Sequence, residues 1–165
     1  MVIIRKLKPI LYSETVQIPS WTSITLGILI GILTPLIILQ YFPATKDPSL
    51  IGLYACLDLF FFVIYLNFRK LDIRITTSSL NVAFGLIRKE ITVENIVSCE
   101  PITTRIGVYT GNGIRIGGDG TLAFITWFGD AVKLKLRSGR PFVFSTNNQD
   151  ETIKIIHNLI ESQPY

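Results

Sequence analysis

Residues 22–42 read TSITLGILIGILTPLIILQYF and residues 49–68 read SLIGLYACLDLFFFVIYLNF, with the polar turn PATKDP at 43–48 between them. Each run is about 20 residues, the length with which an α-helix spans the roughly 30 Å hydrocarbon core of a bilayer. The pair reads as a transmembrane helix hairpin, with Trp21 at the interface where an indole sits half wet and half apolar. Pro35 is expected to kink the first helix. Gly27 and Gly31 lie four apart on one face, the small-xxx-small spacing that lets two helices approach closely; it reads equally as a packing seam against the second run or another subunit and as chance, because Gly is frequent in membrane helices. Asp58 falls mid-span, where an acid costs about 2.5–3.5 kcal/mol on insertion scales, so it is expected to face protein or water. It reads as a polar contact to a partner, as a proton site, or as a protonated acid bonded to a hydroxyl such as Thr34.

The flanks set an orientation. Arg5, Lys6 and Lys8 precede the first run, Arg69, Lys70 and Arg74 follow the second, and the turn carries Lys46 offset by Asp47. Cationic flanks stay inside, so an integral cell-membrane protein with both termini cytoplasmic is expected. The first run is too long for a signal-peptide core and no small-residue cleavage site follows it. This divides the chain into an N-terminal segment (1–20), the hairpin (21–68) and a cytoplasmic domain (69–165). Pro9 and Pro19 argue against one continuous helix in the first segment. An extended stretch lying on the membrane or pairing with the later domain fits it better.

Composition agrees with that division. The 165 residues have a mean hydropathy of +0.45, and 17% are charged, below the roughly 25% of ordinary soluble domains. Net charge is +4 with a pI near 9.2, which suits an anionic membrane surface better than nucleic acid, because no basic run or recognition motif accompanies it. Cys56 and Cys99 fall in different regions, so no disulfide between them is expected.

From Leu71 the period changes to two. Leu71, Ile73 and Ile75 alternate with Asp72, Arg74 and Thr76, and further short strands follow at 80–84, 86–91, 96–102, 122–128, 131–136 and 142–145, separated by turn residues such as Gly85, Gly129-Asp130 and Ser138-Gly139. Gly117-Gly118-Asp119-Gly120 reads as a hairpin turn. Asn148 with Glu151 forms a capping-box pattern, and Ile153, Ile156 and Ile160 with Ile155 and Leu159 make the apolar stripe of one closing helix, 149–162.

The stretch TGNGIR (110–115), then AVKLKLRSGR (131–140), then Ser145-Thr146 leading into a helix resembles the bacterial pleckstrin-homology-like (PH-like) domain family, whose membrane-anchored members carry an N-terminal helix hairpin. The resemblance implies a fold of class α+β: the hairpin, then a PH-like antiparallel β-barrel or sandwich capped by a C-terminal α-helix. It implies a binding or assembly module with no catalytic, cofactor or metal residues.

Lys133, Lys135 and Arg137 alternate with Val132, Leu134 and Leu136, which places three cations on one strand face. With Arg140, Arg69 and Lys70 they are candidate contacts to lipid headgroups or an acidic partner; an ordinary solvated face is the plainer reading. In 122–128, Leu122, Phe124 and Phe128 fall on the opposite side from Ala123, Ile125 and Trp127; one side fills the core, and Leu122, Phe124 and Phe128 are the candidate partner surface. Gly111-Asn-Gly113 lacks the spacing and following helix of a dinucleotide loop. His157 has no cysteine or carboxylate at ligand spacing, and no serine or cysteine sits in a nucleophile elbow. The function expected is a non-catalytic, membrane-anchored accessory or assembly subunit, or a homo-oligomeric scaffold, without nucleic-acid contact. The alternative is a sensor of anionic lipid headgroups.

Overall fold

Alternation in β2 (Lys70–Thr76) sends Leu71, Ile73 and Ile75 inward to full burial and leaves Asp72 and Arg74 outside. The computed structural model describes residues 9–20, 23–24, 27–28, 31, 48–104 and 113–162. The next strand, β3 (Ser79–Phe84), places Phe84, Val82 and Leu80 opposite those three residues, and β4 (Ile87–Thr92) follows through a tight turn. Gly85 in that turn has φ +50°, and a Cβ there would collide with the Asn67 side chain. Ahead of them in the chain, β1 (Ile10–Gln17) pairs antiparallel with β2, so the first sheet runs β1-β2-β3-β4. Of the two placements open to the N-terminal segment, residues 10–17 therefore take the pairing one.

A short 3-10 turn (Val93–Asn95) leads into the second sheet, made of β5 (Ile96–Thr104), β6 (Gly113–Ile116), β7 (Leu122–Ile125), β8 (Gly129–Leu136) and β9 (Phe142–Ser145) in the order β5-β8-β9-β7-β6. The expected antiparallel meander is corrected here. β9 inserts between β7 and β8 and runs parallel to β7. The reason lies in burial: β9 is buried at every position and β7 at three of four, so both belong in the middle of the sheet, while the more exposed strands β5 and β6 take the edges.

The two sheets meet through aromatic rings. Phe84 of the first sheet lies 5.7 Å from Phe124, which lies 5.2 Å from Phe142, itself 6.0 Å from Phe144. The closing helix α2 (Gln149–Glu161) lays Ile153, Ile156, Leu159 and Ile160 against the same core beside β5 and β8. Its start differs in detail from a capping box: Asn148 makes no side-chain cap to the backbone, and its amide instead donates to the Glu151 carboxylate at 3.1 Å.

The transmembrane hairpin is also corrected. Residues 48–68 form one helix, α1 (Pro48–Phe68), but no helix among the described residues is long and apolar enough to cross a membrane. Its last turn is docked on the sandwich, where Asn67 Oδ1 accepts the Leu86 amide. In 22–42 the described residues are Ser23, Ile24, Gly27, Ile28 and Gly31, all helical; the rest of that run, with Trp21, Pro35 and the turn at 43–47, lies outside the described residues. The integral-membrane localisation and the two-span orientation fall with the hairpin, and so does the membrane-anchored form of the fold.

A clasp holds β1 across the sandwich. The Glu14 carboxylate accepts hydrogen bonds from Thr146 Oγ1 at 2.6 Å, the Asn147 amide at 2.7 Å and the Tyr12 hydroxyl at 3.0 Å. Burial, ahead of the Glu14 charge, pushes the Tyr12 phenol up, so it stays a donor. Hydrogen bonds to a charged group contribute about 1.5–3 kcal/mol. Glu14→Ala is therefore expected to lower the unfolding free energy by about 2 kcal/mol in a denaturant titration. Thr15→Ala removes only the exposed bond to Asp72 on the outer face and is expected to cost under about 0.5 kcal/mol. Equal losses would show that the clasp does not hold the strand.

Candidate interaction surface

The six candidate cations do not form one patch. Arg137 and Arg140 flank a turn that is tied to the 3-10 turn: Arg137 N–H donates to Asn95 O at 2.8 Å, and the Asn95 side chain brackets Ser138 at 2.9 and 3.1 Å. Val93 N–H in turn bonds Ser78 O, at the end of β2 remote from α1. Arg69 and Lys70 stand at the other end of β2, where Ile18 N–H donates to Arg69 O at 3.1 Å. Between them, Lys133 and Lys135 share the outer face of β8, but Glu100 sits opposite Lys133 in register, and Asp119 Oδ2 lies 3.3 Å from its ammonium. The stripe is thus partly neutralised.

Asp119 earns its conformation from the turn it occupies. Its carboxylate accepts the Thr121 hydroxyl at 2.7 Å and the Thr121 amide at 3.0 Å, while Gly117 N–H closes the loop onto Thr121 O. These donors, the hydroxyl foremost, with Lys133 adding to them, hold its pKa down from 3.8 to about 2. This is a structural turn joining β6 to β7.

Leu122 and Phe124 face the core, and Phe124 is 2% exposed there. Phe128 is half-buried with its ring 5.1 Å from that of Trp127. The other side of β7 is covered too: Ala123 and Ile125 pack with Ala131, Val143 and Ile102. Two-sided burial, rather than a partner, accounts for a strand that is apolar on both faces.

The helix differs from all of these. Leu59, Phe60, Phe61, Phe62, Val63, Ile64 and Leu66 are 39–64% exposed. Six consecutive residues at about 100° each pass completely around a helix, so the apolar surface has no polar side. α1 is tied down through its last turn, where Asn67 Oδ1 accepts the Leu86 amide at 2.9 Å and the Phe68 ring lies 5.5 Å from that of Phe84. Leu86, 88% exposed, continues the apolar surface onto the β3–β4 turn. Among the described residues, a Cβ on Gly27 or Gly31 would meet nothing within 4 Å. Asp58 belongs to α1, and the surroundings of its side chain lie outside the described residues.

One juxtaposition escaped the sequence. β5 and α2 bring Cys99 Sγ within 3.3 Å of His157 Nδ1, and the Ile153 carbonyl lies 3.8 Å from the sulfur. Burial pushes the thiol pKa up, which favours its protonated form. No group of three metal-ligating side chains exists among the described residues. Both cysteines are free.

The sheet edges carry devices that oppose strand addition. Glu14 of β1 and Lys89 of β4 sit at inward register positions; β5 holds Pro101 and a register shift; β6 has four residues. The chain matches no family model, no curated protein and no solved structure. The likeness to PH-like domains therefore rests on the quoted motifs alone, of which residues 110–112 lie outside the described residues.

A carboxylate whose folded pKa is depressed contributes stability that is present above its unfolded value and lost as pH falls through the folded one. For Asp119 that window runs from about 3.8 down to about 2. Thr121→Val, which removes the leading donor, is expected to move the Asp119 midpoint upward from about 2 toward 3.8 in a carboxyl-carbon NMR titration, with a smaller rise for Lys133→Met. An unmoved midpoint in Thr121→Val would show that the hydroxyl does not set it.

Proposed function

We propose that the protein is a non-catalytic association module: a β-sandwich that presents an apolar helix to a protein partner or to other copies of itself. The observation carrying this reading is the exposure of Leu59 to Leu66 all the way around α1. Contiguous exposed apolar surface of this kind marks an interaction site, because water disfavours it by about 25 cal/mol per Å². The guarded edges of both sheets favour contact through the helix over strand addition. The protonated, buried thiol of Cys99 fits a packing role better than chemistry. The rival, recognition of anionic headgroups, has less support, since Lys133 is paired with Asp119, and Arg137 and Arg140 stand at the opposite end of the sandwich from Arg69 and Lys70.

Light scattering of the purified chain tests this. The mass is expected to exceed the 18.6 kDa of one chain, and the triple substitution Phe60→Gln, Phe61→Gln, Val63→Gln to bring it down to that value. The pair Lys135→Glu, Arg137→Glu is expected to leave the mass unchanged. A monomeric parent chain that pellets with phosphatidylserine vesicles in a Lys135- and Arg137-dependent way would replace this reading with the headgroup one.

A further inference from the structure

We infer that residues 19–68 are an insertion into a sandwich that closes without them, so that the domain is discontinuous, built from residues 9–18 and 69–162. The two ends of the excursion meet at one point. Gln17 is the register partner of Lys70, and the Ile18 amide donates to the Arg69 carbonyl at 3.1 Å. Ile18 and Arg69 thereby stand as the closing pair of a hairpin whose loop has been replaced by a long segment.

β1 is an integral member of the sandwich. It pairs with β2 along its length, Val16 is 5% exposed within the main core, and Glu14 bonds Thr146 and Asn147 on the far sheet. The helix, by contrast, reaches the sandwich through its last turn, by the Asn67–Leu86 bond and the packing of Phe68 on Phe84 and beside Gly113. Of the side chains described before that turn, those from Leu59 to Ile64 are apolar and face outward. Folding and association thus belong to separable parts of the chain. The division differs from a boundary at residue 69, which would strand β1 on the wrong side.

Two excisions test the inference. In one, residues 19–68 are replaced by Asn-Gly, which suits a two-residue type I′ hairpin between Ile18 and Arg69. In the other, residues 20–66 are replaced by two glycines, so that Asn67 and Phe68 keep their contacts. At least one is expected to unfold in a single cooperative transition and to keep slowly exchanging amides in β2, β3, β8 and β9. A chain beginning at Arg69, which lacks β1, is expected to lose that cooperativity. Failure of both excisions to fold cooperatively, or full cooperativity of the chain lacking β1, would overturn the inference. Light scattering of the excised protein reports separately on the proposed function. A folded excision variant that runs as one chain supports it, whereas one that still associates refutes it and leaves the insertion intact.

Discussion

The row of rings from Phe84 through Phe124 and Phe142 to Phe144 joins two sheets that, among the described residues, share no strand pairing with each other. Everything else in the sandwich is arranged around it. Each buried phenyl contributes about 1.5–3 kcal/mol by leaving water, and each well-placed ring pair about 0.5–1.5 kcal/mol more. The rings demand strands that are apolar on the inner face and, at β7 and β9, apolar on the outer face as well. That requirement puts β9 between β7 and β8, although β7 and β8 are neighbours in the chain. It also leaves the edges to strands carrying Glu14, Lys89 and Pro101, residues that tolerate or prevent an unpaired rim.

What was legible in the sequence was local. The alternation of Leu71, Ile73 and Ile75 appears as three fully buried side chains, and the stripe Ile153, Ile156, Ile160 as the inner face of α2. Periodicity reports which face is buried because it repeats within a single element. It does not report which strands become neighbours. β1 pairs with β2 across the whole inserted segment, and the Glu14 clasp joins residues 132 and 133 positions apart. A signal for it did exist, since Tyr12, Glu14 and Val16 share a strand face and an acid between two apolar residues on that face needs donors. The residues that supply them could not be named from the pattern. Cys99 and His157, 58 positions apart, were hidden for the same reason.

The run at 49–68 shows a different limit. Length and hydropathy establish that the segment is helical and apolar, and it is a helix, but they do not decide what lies beside it. Asn67 and Phe68 look like the end of an apolar run when read in order; in space they are the dock that fixes the helix on the β3–β4 turn. The basic stripe of β8 shows a related limit. Lys133, Lys135 and Arg137 are countable along a strand, whereas the acids that offset them come from β5 and from the β6–β7 turn. Charge on a sheet face is a property of neighbouring strands, and register is the quantity that a single strand does not carry.

On the proposed function, the guarded edges and the unguarded helix have opposite tasks. An edge strand exposes backbone donors and acceptors that any other strand can satisfy, so it binds without discrimination, and the inward-facing Glu14 and Lys89 act against that. A helix has its backbone bonds satisfied internally and offers only side chains, so what it binds is set by shape and apolar area. Placing that helix in a segment whose ends meet at Ile18 and Arg69 uncouples its contacts from the packing of the core. On the proposed function, substitutions between Leu59 and Leu66 act on association while the rings between the sheets continue to hold the fold.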